Sequence, residues 1–215
     1  MPSLVTNLGA KSPMRGVTLP DAGLITAPGR GRLILVGGPP GAGKTAVAGI
    51  VASAAQRPTV HLHTDSFYGW IKAGFVLPYL PQARGQNEVV TTVMTTAACA
   101  YARGGYDVIA EGILGPWLLP SFQEACERED VALSYVVLRP SLDVTLARAV
   151  SRTGGQLTDP EPITGLYHAF GRLGALEAHV IDSSAQTIEE TAADLASGLH
   201  AGRFALPAPH HAAGA

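Results

Sequence analysis

Charge is scarce in this 215-residue chain: Asp, Glu, Lys and Arg supply 15% of the residues and the formal net charge is only -2. With no basic surplus to neutralise a phosphate backbone or an anionic lipid surface, nucleic acid and membrane are excluded as expected partners. Cysteine is nearly absent. Cys99 and Cys126 have no CxxC spacing, which excludes a disulfide scaffold and leaves two buried thiols on helical segments. No apolar run reaches the ~18 residues that cross a bilayer, and the amino terminus lacks the basic-then-apolar pattern of a secretory signal, so a cytoplasmic location is expected. Two signatures that would divert a nucleotide-binding reading are also missing. There is no NKxD sequence to read guanine and no acidic pair closing an apolar strand in the manner of mechanical ATPases.

What is present is apolar and punctuated. Hydrophobic residues make up 47% of the chain, enough for one well-buried domain at this length. Residues 1–30 are rich in Gly, Pro and Ser and read as an extension; residues 31–200 form the domain; residues 201–215 are biased toward Ala and Pro and are expected to fray. Inside the domain, five short apolar runs alternate with longer helical stretches, the pattern of an α/β fold with a buried parallel sheet. The runs begin at Arg32, Thr59, Tyr106, Leu133 and Ala178. Asn87 is read as the cap of a helix that stops at Gly104 and Gly105, Asp159 before Pro160 as a second helix start, and Thr187 with Glu190 as a capping box.

The sharpest motif is GPPGAGKT, Gly38, Pro39, Pro40, Gly41, Ala42, Gly43, Lys44 and Thr45, between an apolar strand and a helical stretch. Its spacing is that of a Walker A loop. Backbone amides and the helix amino terminus face phosphate oxygens, Lys44 bridges the β- and γ-phosphates, and Thr45 offers its hydroxyl to Mg²⁺. The alternative reading of the same residues is a Gly/Pro turn joining strand to helix.

Ligands of open α/β sheets collect at the carboxyl ends of the strands, so two acids become candidates. Asp65, in HTDSFYGW after the second strand, is read as the group that accepts the proton of an incoming hydroxyl, or as a metal ligand; its other reading is a helix cap. Glu111, closing VIAEG, either serves the metal, positions the acceptor or meets solvent. Arg148 and Arg152 lie one turn apart on a later helix, before a glycine-rich break, and either close over phosphates as a lid or form a solvated face. The segment from Phe67 to Asn87 gathers Phe67, Tyr68, Trp70, Phe75 and Tyr79 with Lys72, Arg84, Gln86 and Asn87. It reads as the wall of an acceptor pocket, or else as a satellite core or homodimer contact. Trp117 either approaches the cleft from the facing side or, as the preferred reading, packs in the core. His61, His63 and Asp65 alternate as transition-metal ligands do, but a buried parallel strand alternates anyway and phosphoryl transfer needs no zinc, so no transition-metal site is assigned to the three together. His210 and His211 fall in the tail and receive no role.

Taken together, the Gly38–Thr45 loop, Asp65, Glu111, the Arg148 and Arg152 helix and IDSS before the last helix resemble the chloramphenicol phosphotransferase-like P-loop kinases, with gluconate and shikimate kinases as more distant relatives. The resemblance spans residues 32–200. It implies a P-loop NTPase three-layer sandwich of nucleoside-monophosphate-kinase type, ATP with Mg²⁺, and a small-molecule hydroxyl as acceptor, an antibiotic or other natural product whose phosphorylation confers resistance. Asp65 then matches the family's base, and the loop holding Ser183 and Ser184 lies near the adenine. The competing functional readings are a metabolic kinase of gluconate, shikimate or nucleoside type and a non-catalytic module that binds ATP and a ligand.

Overall fold

The computed structural model describes residues 29–151 and 157–207. In chain order it runs β1 (Arg32–Gly37), α1 (Lys44–Ser53), β2 (Thr59–His63), α2 (Thr64–Gly69), α3 (Arg84–Arg103), β3 (Asp107–Glu111), α4 (Leu119–Arg128), β4 (Ala132–Leu138), α5 (Leu142–Val150), α6 (Pro160–Ala169), β5 (Val180–Ile181) and α7 (Ile188–His200), with 3₁₀ turns at Pro81–Ala83, Pro116–Leu118 and Gly174–His179. All five expected strands form, in one parallel sheet ordered β2-β3-β1-β4-β5. β1 is therefore central, with its neighbours reached by crossovers in opposite directions, and the crevice at its carboxyl end is the switch point of the sheet.

Alternation along β1 explains its unbroken apolar run. Leu33 and Leu35 face one core, shared with Val90, Met94 and Ala98 of α3 and Phe122 of α4; Ile34 and Val36 face the other, shared with Val47 of α1 and Leu195 of α7. With both faces covered there is no solvent side to require polar residues. Each such Leu or Ile side chain contributes roughly 1.5–3 kcal/mol by leaving water. Cys99 and Cys126 lie buried on α3 and α4, as expected of two structural thiols. The Asp159 cap, accepting from the Glu161 amide at 3.1 Å, and the Thr187–Glu190 capping box are both in place. Among the described residues no helix is long and apolar enough to cross a membrane.

Three expectations are corrected by packing. Asn87 does not cap α3: the 3₁₀ turn at Pro81–Ala83 runs directly into a helix that starts at Arg84, and the Asn87 amide instead donates to the Pro78 carbonyl at 2.8 Å. The domain does not end at His200. Phe204 is fully buried, its carbonyl accepts from the Tyr135 amide at 2.9 Å, and Leu206 N–H donates to Leu133 O at 2.9 Å. This segment covers the half of β4 that two-residue β5 leaves open, so an otherwise exposed sheet edge is paired. Finally, β2 is an edge strand rather than a fully buried one. Only Leu62 is buried, and His61 and His63 point to the opposite, α1-covered face.

Candidate functional site

The chain leaves β1 at Gly37 and turns through residues 38–43 into α1. Gly38, Gly41 and Gly43 all carry positive φ, the left-handed conformations that a side chain resists. At Gly41 space is also lacking, because a Cβ would stand 2.4 Å from the Thr145 carbonyl of α5. The loop is thus wedged between the central strand and α5. The amino terminus of α1 has no side-chain cap and no acid in its first turn, so its orphan amides and dipole are left for an anion. Lys44 is only 7% exposed, and its ammonium donates to Pro39 O at 2.8 Å.

Register brings the second half of the site to the same point. Val36 of β1 and His63 of β2 both pair with Glu111, the last residue of β3. Glu111 is 5% exposed rather than solvated. Its Oε1 accepts from Thr45 Oγ1 at 3.0 Å and meets His63 Nδ1 at 2.8 Å, while Thr64 Oγ1 donates to its carbonyl at 2.9 Å. Gly112 makes that last contact possible: a Cβ there would fall 1.8 Å from the Thr64 hydroxyl. Loop hydroxyl and strand-end carboxylate therefore touch, although 66 residues separate them.

These groups line one end of a cleft of about 1190 Å³. Asp65, in the first turn of α2, is exposed on its wall beside Tyr68, whose phenol is held above its ordinary pKa by burial and by the Asp65 charge. The rest of the lining is mostly apolar, with Asn87, Thr158 and Asp159 as its polar members. Phe75, Leu77 and Tyr79 come from the segment before α3, Met94 from α3, Ile113, Leu114, Trp117 and Leu118 from beyond β3, and Leu166 and Ala169 from α6. Two anchors hold these walls. Gln86 clamps the first by accepting from Val76 N–H at 2.9 Å and donating to Val76 O at 2.7 Å. The buried Tyr135 hydroxyl, its pKa pushed up by desolvation, donates to Leu114 O at 2.9 Å from beneath the second.

The expected site residues divide accordingly. Pro40, Gly43, Lys44, Thr45, Asp65, Tyr68, Asn87 and Glu111 line the cleft together. Phe67 does not: it is buried in the core against Trp70, at 4.7 Å between ring centroids, because it sits on the inward face of α2. Trp70, 65% exposed, and Arg84, paired with Glu88 at 3.0 Å along α3, lie outside the cleft. Lys72 donates to Gly69 O at 2.8 Å, closing the end of α2 rather than reaching a ligand. Trp117, read by preference as a core residue, is half exposed and lines the cleft, leaning on Phe170 at 5.5 Å. Arg148 is exposed in the last turn of α5, beside Ala149, which packs near Gly41; Arg152 lies outside the described residues. Ser184 fixes its own loop, accepting from Ser141 N–H at 2.8 Å and donating to Asp182, while Ser183 is buried. The histidines meet Glu111. The contribution of α6 was missed, because which face of a short amphipathic helix borders a cleft is decided by its neighbours and carries no local signal.

Residues 21–117, just under half of the chain, match the family model described as Zeta toxin. No curated protein matches the sequence. Among solved structures, the tunicamycin resistance protein of Deinococcus radiodurans is 16% identical over 83% of this chain and 99% of that one, with a TM-score of 0.59. The APS kinase of Mycobacterium tuberculosis in complex with AMPPNP and APS is 18% identical over 80% and 99%, with a TM-score of 0.56. A sugar kinase from Janibacter sp. HTCC2649 is 20% identical over 79% and 95%, also at 0.56. The chain has a P-loop kinase fold. In that fold the matched segment runs from before β1 to Trp117, so it takes in the glycine loop, Asp65, Glu111 and the first apolar wall of the cleft. The expected three-layer sheet architecture is the one observed.

Proposed function

We propose that this protein is an ATP-dependent kinase that phosphorylates a hydroxyl of an uncharged, largely apolar small molecule. The observation that carries the reading is the shared cleft: Lys44 and Thr45, Glu111, Asp65 and an apolar wall border one cavity of about 1190 Å³. That is ample for a drug-sized acceptor, since ligand pockets run to roughly 300–1,000 Å³. The Thr45 hydroxyl and Glu111 carboxylate are hard oxygen donors in contact with each other, a set that fits Mg²⁺. When bound there, Mg²⁺ supplies charge neutralisation on the phosphates.

In this reading the loop amides and the α1 amino terminus hold the phosphates, and Lys44 follows the charge of the moving phosphoryl group. Asp65 accepts the hydroxyl proton as the acceptor oxygen bonds to the γ-phosphorus and the bond to the β–γ bridging oxygen breaks, releasing ADP. Asn87 lines the acceptor half, and its buried Oδ1 has no hydrogen-bond partner among the described residues, so an acceptor hydroxyl or amide can satisfy it.

The charge of the lining separates this reading from the gluconate and shikimate forms of the metabolic one. Lys44 is the one base among the described lining residues, against Asp65, Glu111 and Asp159. Among the described lining residues an anionic acceptor such as gluconate or shikimate would find no cation beyond the one engaged with phosphate. Phosphorylation of a hydroxylated natural product, with resistance as its consequence, agrees better with such walls. The test is transfer from γ-labelled ATP with Mg²⁺ across neutral antibiotics, nucleosides, sugars and sugar acids. Labelled neutral product that disappears with Lys44→Ala is the expected result. Preferential labelling of a sugar acid would overturn the acceptor class, and ATP binding with no transfer to any class would favour a binding module.

A further inference from the structure

His61, His63 and Glu111 each offer a ligand atom at one place, with all three within 4.8 Å of one another. We propose that they form a binding site for a transition-metal dication of the Zn²⁺ class, and that the metal takes Glu111 away from the phosphate end of the cleft. Two imidazoles and one carboxylate are a recurrent zinc set that leaves a fourth position open. The surroundings suit it. His61 Nε2 is buried without a hydrogen-bond partner, a vacancy that a metal bond fills. The His61 ring is held beneath Gly49 of α1, 3.7 Å from where a Cβ would be, and stands 4.1 Å from the His63 ring. With bonds of about 2.0–2.1 Å, tetrahedral ligands lie about 3.3 Å apart, so the wider separations in the set must shorten while the hydrogen-bonded His63–Glu111 pair opens; His63, with a side chain 46% exposed, has room for that shift. His63 Nδ1 already meets the Glu111 oxygen at 2.8 Å.

The cost falls on Thr45. Glu111 Oε1 is the atom that Thr45 Oγ1 donates to at 3.0 Å, so a metal on the histidine side and a cation on the loop side draw on the same carboxylate. Zinc therefore weakens Mg²⁺–nucleotide binding, and by linkage Mg²⁺–nucleotide weakens zinc binding by the same factor. This coupling rests on the proposed function, whereas zinc binding does not.

Equilibrium dialysis of the full chain against buffered Zn²⁺ tests the site, with the His61→Ala/His63→Ala double variant for comparison. The expected result is one zinc per chain bound at least tenfold more tightly than by the double variant, which keeps His210 and His211. Equal binding by the two proteins, whether absent or confined to other histidines, overturns the site. Should the double variant not fold, Co²⁺ added to the unaltered chain decides: the His61 and His63 ring protons must be displaced selectively relative to those of His168, His179 and His200, and uniform or absent displacement overturns the site. AMPPNP titrated with Mg²⁺, with and without one equivalent of Zn²⁺, then reads the coupling. A several-fold rise in the nucleotide Kd is expected; an unchanged Kd in zinc-loaded protein that binds AMPPNP overturns the shared carboxylate alone, and failure to bind AMPPNP in any condition overturns the kinase reading while leaving the zinc result intact.

Discussion

At one end of the cleft Lys44 and Glu111 are 7% and 5% exposed and are held by strand register and a wedged glycine loop; at the other, Phe75 and Tyr79 are each 44% exposed and hang on a segment fastened by side-chain amides. The first end is made mostly of backbone whose position follows from the central strand. The second depends on which side chains of α3 and α6 happen to face it. On the proposed kinase reading, chemistry common to all substrates falls at the rigid end, and acceptor choice at the adjustable one.

Substitutions can break this contrast. Lys44→Ala should have the largest effect, about a 10³-fold loss of kcat with every acceptor, since a buried donor to developing charge is removed. Single-turnover transfer from labelled ATP checks it, and a loss confined to one acceptor would contradict the division. Asp65→Asn comes next, with about a 10²-fold lower kcat and nucleotide affinity unchanged by calorimetry. A parallel fall in ATP affinity would assign Asp65 to the phosphate end.

Gln86→Ala sharpens the comparison from the other side. It removes both hydrogen bonds to Val76, each contributing about 1 kcal/mol, so the acceptor KM should rise by up to about thirtyfold while the KM for ATP stays put. The smallest effect concerns the loop after β5. The Ser184 hydroxyl, then its amide, holds Asp182 below its ordinary pKa of 3.8, with slight burial opposing. A depressed carboxylate stabilises the fold above its unfolded pKa, and the stabilisation is lost as pH falls through the lower folded value. Because this group is largely solvent-screened, Asp182→Asn should remove no more than about 0.5 kcal/mol at neutral pH and flatten urea stability below about pH 4.

Much of the rigid end was legible before any fold was known. GPPGAGKT between strand and helix gave loop, lysine and hydroxyl at fixed spacing, and VIAEG put Glu111 at a strand end. The contact between Glu111 and Thr45 was not written there, because it depends on β3 pairing beside β1, a choice made by sheet order. The adjustable end was read only in outline. Phe75 and Tyr79 were found, but Phe67 and Trp70, also expected in the wall, lie outside the cleft, while Leu77 went unread and Trp117 lines it, since aromatic composition does not tell which face of a short helix turns inward.

Local, covalently fixed spacing is therefore what the sequence by itself determined: five strands, the phosphate-type loop, the caps of α6 and α7, and acids at strand ends. Tertiary structure alone decided that β2 lies at an edge, so that two histidines expected to be incidental meet Glu111, and that residues 204–206 complete the sheet beside β4. Both outcomes come from pairings between segments far apart in the chain, whose energies depend on burial and register that no local pattern encodes.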